Sequence, residues 1–210
     1  MRIRITFSKQ GALRYTGHLD LHNLWERAAR RAALPLAYSQ GFHPQPRINL
    51  ASALPLGFSS RAEVMDIWLK EERDPAQLRA DVQACLPADI QILDIQTVDD
   101  RAPKLQVSVL SAEYEAILSP EVDAPNLDAK VAALLGAESL PRERRGKQYD
   151  LRPLIESVEA APAEGSGKRR LAMRLAARDG ATGRPEEVID ALGIPVEFAR
   201  VERTKLIFQE

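Results

Sequence analysis

Three histidines, His18, His22 and His43, all fall in one stretch of this 210-residue chain, GHLDLHNLWERAARRAALPLAYSQGFHPQPRINLASALPLGF, from Gly17 to Phe58. His18 and His22 stand at i and i+4, which on a helix puts two imidazoles on one face, and His43 could supply a third ligand. No HExxH glutamate accompanies them, so no metal is assigned and the three are kept as candidates. The same side chains suit metal-free acid–base chemistry. One imidazole could take the proton of an RNA 2′-hydroxyl while a guanidinium stabilises the phosphorane. His18 and His43 are the candidates for that role, and no catalytic residue is assigned.

A second constellation is basic. Arg142, Arg144, Arg145, Lys147 and Arg152 crowd one short segment with Glu143 and Asp150, and Tyr149 lies among them. Cations that neutralise phosphates, beside an aromatic ring for stacking, make an RNA-binding segment. Arg142, Arg144, Arg145 and Lys147 are the expected phosphate contacts. The competing reading is a solvated loop with internal Arg–carboxylate pairs. Asp150 to Ile155 also reads as the start of a core strand, which gives Arg152 a structural place.

The elements that must position these groups are legible. Leu21, Leu24, Trp25, Ala28 and Ala32 recur at three- and four-residue steps, so a helix with one apolar face is expected, capped by Asp20 and stopped by Pro35. Arg27, Arg30 and Arg31 fall on another face near its C-terminus, where cations complement the helix dipole or bind an anion. Beyond it, Tyr38 to Arg47 reads YSQGFHPQPR. Pro44 and Pro46 stiffen this segment and Gly41 permits a turn. His18, Tyr38, Phe42, His43 and Arg47 are therefore the expected binding site, against the plainer reading of a rigid loop capping the core.

The stretches FSKQGALRYTGHLDL and ERAARRAALPLAYSQGFHPQPRINLASALPLGF, with RERRGKQYDLRPLI later, resemble the radical SAM-linked protein family. That bacterial family of undefined activity occurs beside, or fused to, a cobalamin-binding radical SAM protein. The resemblance runs along most of the chain and implies a radical SAM protein as partner. His18 and His43 match its HLDL and GFHP motifs; His22 falls where the family often has an apolar residue.

Composition narrows the classes. A net charge of −1 gives no global attraction to nucleic acid, so any such contact must be local. Cys85 is the single cysteine, which excludes an intramolecular disulfide and a cysteine-held iron–sulfur cluster within one chain. The chain is thus at most the companion of a radical SAM enzyme. No cofactor is expected. There is no signal-peptide core, and no apolar run nears the roughly 18 residues of a membrane span, so a cytoplasmic protein without a membrane partner is expected.

Patterning predicts a strand at 2–7, the helix above, strands at 47–53 and 63–69, a helix from Pro75 to about Leu86, and a strand at 90–98. This β-α-β-β-α-β order is the ferredoxin-like split arrangement. Residues 104–210 repeat it in element order only. A strand at 104–118 and a helix at 126–135 come first, then strands at 148–158 and 169–177 joined through Ala163 to Gly167. A helix at 185–192 and a strand at 196–208 close the order. The expected fold is α+β, two tandem ferredoxin-like halves at 1–100 and 104–210 with antiparallel sheets. The expected function is a non-catalytic accessory of a radical SAM system that binds RNA or an RNA-linked substrate. The alternatives are a histidine-dependent RNA-processing enzyme and a protein–protein adaptor without nucleic acid.

Overall fold

A computed structural model of the chain describes residues 1–122, 126–163 and 168–209, in two compact units, Met1–Val109 and Leu110–Glu210. Each is α+β with mainly antiparallel strand pairing.

In the first unit β1 (Arg2–Lys9) is followed by α1 (His18–Arg31), β2 (Ile48–Leu50), β3 (Ser59–Trp68), α2 (Pro75–Gln83), β4 (Ile90–Val98) and a single helical turn, α3 (Leu105–Ser108). β1 lies between β3 and β4, antiparallel to both, and β2 pairs antiparallel with β3, so the strands lie in the order β4-β1-β3-β2. Alternation on β1 sends Ile3, Ile5 and Phe7 into the core. Phe7 meets Trp25 of α1 edge to face at 4.7 Å. Each such buried side chain contributes on the order of 1.5–3 kcal/mol.

α1 starts two residues before the expected cap: Gly17 is the N-cap and Asp20 lies in the first turn, where its charge complements the dipole. It ends at Arg31 rather than Leu34, because Ala33 turns left-handed at φ +51°. α2 does begin at Pro75, with the Asp74 side chain accepting from Gln77 N at 3.0 Å. The strand expected at 47–53 shortens to three residues, and β3 starts four residues earlier than expected. The irregular alternation of β4 has a cause. The β1–β4 register slips between Thr6 and Phe7, so Leu93 has no partner and is exposed.

The second unit contains β5 (Val109–Leu118), α4 (Leu127–Gly136), β6 (Pro141–Arg144), β7 (Lys147–Asp150), β8 (Ile155–Pro162), β9 (Arg169–Arg178), β10 (Ala181–Thr182), α5 (Pro185–Ala191) and β11 (Ala199–Phe208). β9 pairs antiparallel with both β5 and β8, and β11 neighbours β5, giving β8-β9-β5-β11. Buried Leu127, Val131 and Leu134 mark the inner face of α4. Three expectations fail over residues 104–208. Residues 105–108 form a helical turn rather than strand, leaving Val107 exposed. The strand expected at 148–158 breaks at Pro153, where a 3-10 turn (Arg152–Leu154) separates β7 from β8. Another 3-10 turn, Val196–Phe198, precedes β11. The expected turn at Glu164 to Gly167 lies outside the described residues.

Candidate functional site

The segment after α1 is a hairpin-like loop tied to the end of β3. Ala37 N donates to Trp68 O (2.8 Å), Arg47 N to Ala37 O (2.9 Å), and Trp68 N to Arg47 O (3.1 Å). Tyr38 and Pro46 pair across it. Ser39 closes the neck: its N–H donates to Gln45 O at 2.8 Å, and its Oγ accepts from Gln45 N at 3.0 Å. Five residues, Gln40 to Pro44, project beyond this neck, with Gly41 at φ +128° where only glycine is unstrained. Phe42 is 102% exposed and His43 beside it is also exposed. Arg47 lays its guanidinium 4.5 Å from the Trp68 ring centroid, and the Tyr38 ring takes Arg30 at 5.8 Å and Lys70 at 5.7 Å. Tyr38, Phe42, His43 and Arg47 thus belong to one loop and its base.

His18 does not join Tyr38. It is the first residue of α1, whereas Tyr38 meets Arg30 near the other end, twelve residues or about 18 Å along the axis. His22 is also committed elsewhere. Its Nε2–H donates to the carbonyl of Ile48 at 3.2 Å, tying α1 to β2. The metal candidate His18–His22–His43 is therefore not assembled, and no group of three potential ligands occurs among the described residues.

What fixes the loop base is a charge cluster that sequence reasoning missed. Asp66 of β3 is wholly buried and accepts from Arg2 (Nε 2.9 Å, Nη2 2.5 Å) and Arg4 (Nε 2.9 Å, Nη2 3.1 Å). Arg2 is equally buried and donates further to the carbonyls of Ala102 and Pro103, both at 2.8 Å. Its guanidinium lies 5.1 Å from the same Trp68 ring that carries Arg47. The signal was present: a lone acid inside the apolar run Val64 to Trp68, on a strand facing Arg2 and Arg4 at period two.

The basic segment is an antiparallel hairpin, β6–β7, rather than a loop. Arg145 (φ +50°) and Gly146 (φ +75°) are both left-handed, the signature of a type I′ turn. Arg142 is half-buried and faces α5, with Glu187 at 3.8 Å and Asp190 at 3.7 Å, so its charge is largely answered within the fold. Arg144, Arg145 and Lys147 are exposed, and their side chains have no partner among the described residues. At the base, Asp150 Oδ1 accepts from Leu140 N (2.7 Å) and Arg152 N (2.9 Å), which hold its carboxyl below the usual range. Burial, then the charge of Glu187, pushes the Tyr149 phenol up, so it stays neutral. Arg152 is structural: it donates to Leu135 O at the end of α4 (3.1 and 2.7 Å) and to Ile155 O (3.1 Å). No helix among the described residues is long and apolar enough to cross a membrane.

Comparison with known proteins adds little chemistry. No curated protein matches. Among solved structures, one described as a glycine cleavage system transcriptional repressor aligns over 99% of this chain and 98% of its own, at 12% identity and a TM-score of 0.27, a likeness that carries no functional argument. A family model does match residues 2–185, including α1, the 39–45 loop and the β6–β7 hairpin, and the chain therefore belongs to the bacterial family described as an uncharacterized protein conserved in bacteria (DUF2344).

Proposed function

We propose that this protein is a non-catalytic accessory that binds RNA, or a substrate attached to RNA, and presents it to a separate enzyme. The observation that carries this reading is the tip of the β6–β7 hairpin, where Arg144, Arg145 and Lys147 are exposed without partners. Unanswered cations on a short two-stranded ribbon fit a row of phosphates. The exposed Phe42 ring, held on a stapled loop, supports the reading from the first unit, because an unstacked base gains about 1–3 kcal/mol on an aromatic face.

The enzyme partner is read as a radical SAM protein from the resemblance of the HLDL and GFHP stretches. A chain with one cysteine fits the role of companion to such an enzyme. We also read the two units as tandem ferredoxin-like folds. The orders β4-β1-β3-β2 and β11-β5-β9-β8, each with two helices between strands, support this. Sheets of that kind are the frame of many RNA-binding modules. RNA cleavage by a pair of histidines draws no support from a shared site, since no group of three His, Cys or acidic side chains gathers among the described residues and His22 is bonded to Ile48 O. The adaptor reading keeps one observation, because a bare Phe42 also suits an apolar pocket on a protein partner.

The test is affinity for single-stranded RNA across a salt series. Replacing Arg144, Arg145 and Lys147 together by alanine removes three phosphate contacts and should flatten the log–log salt slope by about 2, at roughly 0.7 per contact. An unchanged affinity and slope would sink the reading. Stable co-purification with a protein partner, with no RNA left after a high-salt wash, would favour the adaptor.

A further inference from the structure

Two of the three arginines on α1 have no place in the site above. Arg30 donates to Glu26 one turn back (Nη2 to Oε1 2.8 Å) and lies against Tyr38. Arg27 and Arg31, one turn apart, have neither a carboxylate nor a hydrogen-bond partner for their side chains among the described residues. Both line an open groove of about 670 Å³ between α1 and the exit of α2. That volume lies within the roughly 300–1,000 Å³ of small-molecule sites. Asp20, Leu24, Arg27 and Arg31 recur at four- and three-residue steps and form the α1 wall, and Cys85 and Leu86 stand on the wall across from it.

Side chains at i and i+4 lie about 6 Å apart, a span over which one tetrahedral oxyanion can accept from both guanidiniums. With nothing bound, two like charges at that spacing weaken the helix, so an anion between them removes a repulsion as well as adding contacts. Leu24 and Leu86 offer apolar surface next to the cations. Asp20, two turns before Arg27, disfavours a second anion at the far end.

We propose that the α1–α2 groove binds a phosphate monoester carried on an apolar or aromatic body, with the phosphate on Arg27 and Arg31 and the body against Leu24 and Leu86. Two sources share that chemistry: a free mononucleotide and the phosphorylated end of an RNA strand. The groove is built only from residues of the first unit, so it stands if the hairpin reading fails.

Cys85 is the only cysteine and lines the groove, so its alkylation rate reports occupancy. The full chain is alkylated at low salt with equal concentrations of AMP, inorganic phosphate, or a short RNA bearing a 5′-phosphate or a 5′-hydroxyl. AMP and the 5′-phosphorylated RNA should each slow the reaction at least about fivefold and saturably, and inorganic phosphate less than about twofold. Arg27→Ala/Arg31→Ala should lose the protection, read against that variant's own bare rate, while the thermal midpoint does not fall, since neither side chain has a partner among the described residues. A lower half-protecting concentration for the RNA assigns the strand end; a lower one for AMP assigns the free nucleotide. Absence of protection by both, or protection that persists in the double variant, overturns the site. Phosphate protecting as well as AMP overturns the apolar half. Equal protection by the 5′-hydroxyl RNA overturns the monoester. The alanine variant of Arg144, Arg145 and Lys147 should protect Cys85 as the parent does with AMP, which separates a failure here from a failure of the hairpin.

Discussion

Asp66→Ala should be the most damaging single substitution in the first unit. It deletes all four hydrogen bonds from Arg2 and Arg4 to one carboxylate and leaves the Arg2 guanidinium, 1% exposed, against the backbone carbonyls of Ala102 and Pro103 at 2.8 Å. Removing one partner of a buried ion pair costs about 3–5 kcal/mol, mostly for the uncompensated charge left behind. Both tryptophans, Trp25 and Trp68, lie in this unit, so tryptophan fluorescence in urea reports its unfolding without the other. At an m-value of about 2 kcal/mol/M, a loss of about 4 kcal/mol moves the midpoint by about 2 M. The double replacement Arg2→Met/Asp66→Leu should recover part of that loss, because it removes the two fully buried charges and leaves only Arg4, which is 20% exposed, without its carboxylate. Arg2 also lies against the ring that carries Arg47, so Asp66→Ala should loosen the 39–45 loop and raise amide exchange at Ser39 and Gln45. A midpoint loss worth less than about 1 kcal/mol would refute the argument that this cluster holds the loop base.

Other expectations concern the second unit. Arg152→Ala removes three charge-assisted bonds to Leu135 O and Ile155 O and should cost about 1.5–3 kcal/mol, read as faster amide exchange through α4. Gly146→Ala places a side chain at φ +75° and should destabilise the hairpin by about 1 kcal/mol, with weaker RNA binding in proportion. The Asp150 carboxyl is held below its ordinary range, so its stabilising effect is full above the unfolded carboxylate pKa and fades as pH falls through the folded one. Asp150→Asn should therefore flatten the acid limb of the stability profile near the hairpin, measured by thermal midpoint against pH.

Much of the helical scaffold was legible because apolar period and punctuation agreed. The face of α1, Pro75 opening α2 and Pro185 opening α5 all followed from spacing and fixed φ. Boundaries slipped where a backbone angle decided them: nothing in the residue type announces Ala33 at φ +51°. The start of β3 was hidden because Ser59, Ser60 and Arg61 are polar and the apolar run begins only at Val64. The β6–β7 hairpin escaped because its left-handed pair is Arg145-Gly146 rather than Asn-Gly, and its strands are charged on both sides. At the site, the stiffness of Tyr38 to Arg47 followed from Pro44 and Pro46, but which residues meet did not. That His22 reaches Ile48 O and His18 remains remote from Tyr38 are consequences of topology, which residue spacing within one stretch does not encode.

The most direct measurement is RNA–protein cross-linking in the native cells, with sequencing of the attached RNA and mapping of the modified peptides. RNA binding through the elements described here predicts enrichment of a defined RNA, with modified peptides covering Phe42 and His43 and the turn from Arg144 to Lys147. Recovery of a protein as the main cross-linked partner, with no RNA on either peptide, would contradict it.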